Sequence, residues 1–196
     1  MMRFFEKNPR NNNPLIIRLY EEREQPPEDD RHAMNFSLIT ENNVELASGR
    51  CSAQSEEGES DFLYISAIYV NGNTNNPTIK KPNIHSGLGQ LLVFSAINFG
   101  RENNLRTAML TPLEGSEGFY LKMGFRPRVI GNPNRMNTTC SSFGANNGKL
   151  NSRWTNHFAE SSFLHDSFRG PCWVGNISLI YPVLKDYILE SWTIIE

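Results

Sequence analysis

Long apolar runs are missing from this sequence. The densest, Phe62-Leu63-Tyr64-Ile65, is the size of a strand, far short of the ~18 apolar residues of a membrane-spanning helix. No membrane partner is expected. Cysteine is scarce: Cys51, Cys140 and Cys172 are an odd number at wide spacing. They form neither a disulfide framework nor a zinc motif, and they fit a reducing, cytoplasmic setting. A basic excess is also lacking. The net charge of −2 supplies no global field for nucleic acid. Residues Met1 to Glu6 hold Arg3 but no apolar stretch of ~7–15 residues, so no secretory signal is expected there. What is present suits a globular chain. The sequence has 196 residues, 38% of them hydrophobic, with 14 glycines. One domain over 1–196 is expected, large enough to bury a core without disulfides or metal.

Asparagine clusters at Asn11–Asn13, Asn71–Asn76 and Asn132–Asn137 read as loops, because Asn favours turns and tolerates left-handed backbone. Residues 1–14 are polar and broken by Pro9 and Pro14. Leu15 to Tyr20 reads as a strand. Glu21 to Arg31, acid-rich with Pro26-Pro27, reads as a solvated loop with at most one helical turn. Ala33–Thr40 and Val44–Ala53 read as a hairpin turned at Glu41-Asn42-Asn43. Asp61 to Val70 is the strongest strand signal, β-branched and aromatic, and apolar on both faces like a buried central strand.

Asn71 to Ser86 is a polar loop. Gly87-Leu88-Gly89-Gln90 then leads into a helix. Leu88, Leu91, Leu92, Ala96 and Phe99 form its apolar stripe, and Val93 and Ile97 widen it, so more than one side is buried. Arg101 to Asn104 ends it. Thr107–Thr111 reads as a short strand and Glu114–Met123 as a short helix, with Gly124 as its left-handed end. Phe125–Ile130 reads as a strand. Residues 131–176 read as loop-rich, with aromatics such as Trp154 and Trp173 that dock on a core. Ile177–Leu189 fits strand or helix, and Ser191–Ile195 fits a closing strand.

Chemistry concentrates in residues 61–125. Gly87 and Gly89 stand where a loop enters a helix. Glycine there admits a ligand to the backbone, and exposed N–H groups with the helix dipole favour a phosphate. Phe119-Tyr120-x-x-x-Gly124-Phe125 places a phenol on a short helix after the next strand. Two parallel strands splayed at their ends would bring the loop and the phenol to one crevice. Bland readings stand beside these: an ordinary loop-to-helix turn, and a tyrosine buried between strand and helix. Glu114 and Glu117 are candidate bases or simple helix-start residues. His157, His165 and Asp166 lack zinc spacing, and no metal is expected. The acid-rich stretch after Glu21 reads as a solvated face.

The ordered set Ile84-His85-Ser86-Gly87-Leu88-Gly89, a Leu-rich helix, a strand, and Tyr120-Leu121-Lys122-Met123-Gly124-Phe125 resembles the GNAT superfamily of acyl-CoA-dependent N-acyltransferases. The likeness covers about 61–127. It implies an α+β fold: a mixed, mostly antiparallel, splayed sheet flanked by helices, with a core at about 15–130. Residues 131–196 would be an atypical C-terminal extension. It further implies acetyl-CoA as co-substrate and an amine acceptor, attacked directly in a ternary complex. The backbone of Ile68, Tyr69 and Val70 would pair with the pantetheine arm. The amides of His85, Ser86, Gly87, Leu88, Gly89 and Gln90 would hold the pyrophosphate, and Tyr120 would protonate the leaving thiolate. An amide at a strand bulge would polarise the thioester carbonyl. Ile84 stands where the family has Arg or Gln, and the His85 side chain is the candidate replacement. Glu21–His32 is too short for the family's two acceptor-wall helices, so the region after Ile130 is expected to supply that wall. The alternative is a catalytically inactive acyl-CoA-binding or protein-interaction module on the same fold. An exposed edge strand or the aromatic extension can make a homodimer.

Overall fold

A computed structural model describes residues 2–7, 9, 14–24, 32–55, 61–71, 85, 87–112, 116–127 and 173–195. Its strands are β1 (Arg3–Glu6), β2 (Ile16–Glu24), β3 (Ala33–Thr40), β4 (Glu45–Gln54), β5 (Phe62–Val70), β6 (Thr107–Leu110), β7 (Arg126–Pro127), β8 (Trp173–Asn176) and β9 (Trp192–Ile195). Its helices are α1 (Leu88–Glu102), α2 (Glu117–Met123) and α3 (Ile177–Ser191). All nine strands join one sheet in the order β7-β8-β6-β5-β4-β3-β2-β1-β9. Every neighbouring pair is antiparallel except β5 and β6. A parallel pair needs a crossover, and α1 supplies it. This is the mixed, mostly antiparallel, splayed sheet that the GNAT resemblance implies.

The hairpin forms as the sequence suggests. Asn43 takes the left-handed conformation (φ 61°), and Thr40 and Val44 close the turn with a backbone bond of 2.9 Å. The helix stripe is also real. Residues Leu91 to Ile97 of α1 are all buried, because the sheet lies on one side and α3 on another. Phe94 stacks on Tyr181 of α3 at 5.3 Å, and the Arg101 guanidinium lies over the same Tyr181 ring. Gly124 ends α2 with φ 109°, as expected of a helix-terminal glycine.

Three expectations are corrected. Glu21 to Glu24 continue β2 instead of starting a loop. Their charges find partners on neighbouring elements: Arg23 meets Glu102 of α1 at 2.6 Å, and Glu24 accepts from Asn35 and Arg50. Residues 3–6 form a strand inside the polar N-terminal stretch, held between β2 and β9 with Phe4 buried. Trp173 to Asn176 are a strand and no loop. Only four residues long and containing Gly175, this strand is inserted between β6 and β7. The strand from Phe125 to Ile130 is described only as the two residues of β7; 128–130 lie outside the described residues. The open choice at Ile177 resolves to helix, started by Asn176, whose side chain accepts from the Ser178 N–H at 3.0 Å. Strand β8, helix α3 and strand β9 all contribute to the sheet or to the main core.

Candidate active site

The site is built by the ends of β5, α1 and α2. β5 pairs with β6 only from Phe62 to Ile65, against Thr107 to Leu110. β6 then stops, while β5 runs on to Val70. The sheet therefore opens between the two strands beyond Ile65. On its other edge β5 stays paired with β4 through Val70, with the register shifting between Arg50 and Cys51. Arg50 pairs with Ala67 and Cys51 with Ile65, so Ser66 is the extra residue of a bulge. Its hydroxyl donates to the Arg50 carbonyl at 3.2 Å. The bulge sits where β5 and β6 part.

Backbone direction in β5 follows from one bond. The Asn71 N–H donates to the Leu46 carbonyl at 2.9 Å, and Val70 is paired with Ala47. In an antiparallel ladder this makes Ala47–Val70 a non-hydrogen-bonded pair and Ser48–Tyr69 a hydrogen-bonded one. Ile68 and Val70 thus aim their N–H and C=O groups into the opening. Tyr69 aims its own at β4, and its side chain is 63% exposed. Of the three residues expected to line a pantetheine arm, Ile68 and Val70 turn their backbone groups to the opening and Tyr69 turns its own to β4.

α1 begins at the same opening. Gly87 is its N-cap, with φ 82° and ψ 4°, a left-handed conformation that suits glycine. The first intrahelical bond runs from the Leu91 N–H to the Gly87 carbonyl at 3.0 Å. The amides of Leu88, Gly89 and Gln90 precede it and have no intrahelical acceptor. Gly87 brings no capping side chain, and the first turn holds no acidic residue. The helix start is therefore electropositive. Gly89 has a second, unforeseen reason to be small. A Cβ there would lie 3.1 Å from the Phe119 ring and 3.7 Å from a Val70 methyl. Phe119 of α2 and Val70 of β5 thus both close on the start of α1.

The neighbouring Tyr120 is buried in the main core. Its ring meets Phe119 edge-on at 5.0 Å and Phe125 at 5.9 Å. Burial pushes its phenol up to about 12, because an apolar setting disfavours the phenolate. His85 does something the sequence does not suggest. Its Nδ1 lies 3.1 Å from Oε2 of Glu6, a buried carboxylate on β1. The imidazole is directed at the terminal strand. Ser86, Glu114, the histidines at 157 and 165, Cys140, Cys172 and the expected acceptor wall lie outside the described residues. Cys51 is buried, which pushes its thiol up and leaves it no role as a nucleophile. Among the described residues no cluster of metal-ligating side chains occurs, and no helix is long and apolar enough to cross a membrane.

No family model matches the sequence, and no curated protein matches it. Several solved structures are similar in fold. A NatC complex bound to Gag peptide and CoA shares 19% identity over 48% of this chain and 58% of that one, at a TM-score of 0.39. A putative acetyl transferase from Pyrococcus furiosus shares 16% over 50% and 62%, at 0.41. An acetyltransferase of the GNAT family from Staphylococcus aureus shares 11% over 74% and 68%, at 0.41. The chain spans less than two thirds of the length of the first two. Strand order and the single parallel pair carry the fold without them.

Proposed function

We propose that this protein transfers an acyl group, acetyl in the simplest case, from acyl-CoA to an amine. One observation carries the reading: the sheet opens between β5 and β6 at a bulge, and the uncapped start of α1 faces the same opening. Ile68 and Val70 offer backbone donors and acceptors to an extended amide-bearing arm. The amides of Leu88, Gly89 and Gln90 offer donors to a pyrophosphate. These groups fit acyl-CoA, which supplies an activated thioester. The amide at the Ser66 bulge lies where the strands part and is the candidate donor to the thioester carbonyl.

In the reaction the amine nitrogen bonds to the carbonyl carbon and the carbon–sulfur bond breaks. Tyr120 gives its hydroxyl proton to the departing thiolate. Burial keeps the phenol protonated across the neutral range. The same apolar setting raises the basicity of a thiolate beside it, so the two groups stay matched for transfer. The amine releases its proton to water, and the phenolate takes a proton back from water, so the phenol is restored and the net products are the amide and CoA thiol.

Calorimetric titration with acetyl-CoA and with CoA tests the reading. Micromolar binding is expected, together with amine-dependent CoA release. Absence of binding at millimolar concentration overturns it. Binding without turnover against any amine turns the reading to a CoA-binding module. Tyr120→Phe is expected to lower turnover by about 10²-fold or more with CoA affinity near wild type. An equal loss of both would make the phenol a packing element.

A further inference from the structure

Four antiparallel pairings separate β1 from β5, so the two strands run the same way. Glu6 and Val70 therefore end at the same edge of the sheet, the edge where α1 begins. Glu6 is 3% exposed. A carboxyl so buried needs a partner, and Nδ1 of His85 stands 3.1 Å from its Oε2. Glu6 pairs in register with Trp192 of β9. Trp192 is itself fully buried, and its indole nitrogen would be 3.1 Å from a Cβ on Gly87. The terminal strands thus touch the loop at two points, His85 and Gly87, directly ahead of the amides assigned to the pyrophosphate.

We infer that the β1–β9 pair is a clamp for the anion-binding turn, with Glu6 as a positioning residue that acts through His85. This rests on the acyl-CoA reading above and adds a determinant of affinity four strands from the cleft. The physical reason is preorganisation. A turn already fixed in its left-handed conformation binds without a further ordering cost. Neither Glu6 nor Trp192 needs to touch the ligand.

The test uses the full chain and CoA as the probe. Glu6→Leu fills the same buried space and removes the acceptor, whereas Glu6→Gln keeps an acceptor oxygen. Glu6→Leu is expected to weaken CoA binding about tenfold with turnover at saturating substrate unchanged, and Glu6→Gln to restore most of the affinity. Tyr120→Phe shows the opposite split. Hydrogen exchange of the Leu91 amide, which donates to the Gly87 carbonyl, gives a second readout in the ligand-free protein, expected faster in Glu6→Leu and near wild type in Glu6→Gln. If Glu6→Leu does not fold, His85→Leu removes the same bond from the other side. A folded Glu6→Leu or His85→Leu variant with wild-type CoA affinity and wild-type exchange overturns the clamp alone. A wild-type protein that fails to bind CoA overturns the acyl-CoA reading and the clamp's assigned purpose, while the exchange experiment still reports whether the tie exists.

Discussion

Single residues set the packing beside the cleft and the protonation of the proposed acid. Gly49 of β4 is a case in packing. A Cβ there would lie 2.6 Å or less from two atoms of the Phe36 ring and 2.9 Å from the Ala67 carbonyl, beside the bulge. Gly49→Ala therefore pushes on a buried ring and on cleft backbone together. A loss of about 2–3 kcal/mol is expected, read by urea denaturation. A loss under about 0.5 kcal/mol, the range of inert surface changes, would show that Phe36 yields freely. Tyr120 is a case in protonation. Its phenol is pushed up to about 12 from the usual 10 by burial. A raised pKa means the folded state keeps the proton longer than the unfolded one. The resulting contribution is complete below pH 10 and is lost as pH rises towards 12. Wild type should lose about 2–3 kcal/mol relative to Tyr120→Phe over that window, measured by denaturation at several alkaline pH values. A pH-independent difference between the two proteins would place the hydroxyl in water.

At the scale of elements, the legible parts were those whose signal is local. β5 is β-branched and aromatic over nine residues, and α1 carries an apolar stripe over fifteen. Both could be read from spacing alone, and so could Gly124 and the Asn43 turn. The missed elements are short or owe their state to partners. β1 and β8 have four residues each, too few for periodicity to show, and are held by strands on both sides. The end of β2 looks like a loop because its charges look solvated, yet Arg23 and Glu24 are tied to α1, β3 and β4. Of the residues proposed for the site, the glycines and Tyr120 are visible in the sequence. The Glu6–His85 tie is not, because nothing in a sequence links positions 79 residues apart. α3 was ambiguous for a nameable reason: Pro182 lies inside it. Proline lacks the N–H and its ring crowds the carbonyl one turn back. The position is exposed, so no packing is lost on replacement. Pro182→Ala is expected to raise the melting temperature by several degrees, for a gain of about 1–3 kcal/mol. An unchanged or lower melting temperature would show that the helix is built around the proline.

The whole molecule closes on itself through its ends. β8 lies between β6 and β7, so among the described residues the strand after α2 has no neighbour without it. α3 packs along α1 and buries Ile177, Ile180, Leu184 and Ile188 in the main core. β9 pairs with β1 and brings in Trp192, among the largest fully buried side chains. Residues 173–195 are thus central to the packing although they follow a stretch that reads as loop-rich. Removing them would uncover Phe94 and the rest of the α1 face that α3 covers, and Phe125 beside Gly175. Each fully buried large side chain so exposed forfeits about 1.5–3 kcal/mol, and a handful of these exceeds the 5–15 kcal/mol that holds a typical domain together. A chain ending at residue 172 is therefore expected to show no cooperative thermal transition and to bind dyes specific for exposed apolar surface. The milder Trp192→Ala should fold and lose about 3–5 kcal/mol. It should also loosen the Gly87 turn, since the indole that faces that glycine is gone. A truncated chain that melts cooperatively would show that the sheet up to β7 is a complete folding unit and that β8, α3 and β9 are an addition to it.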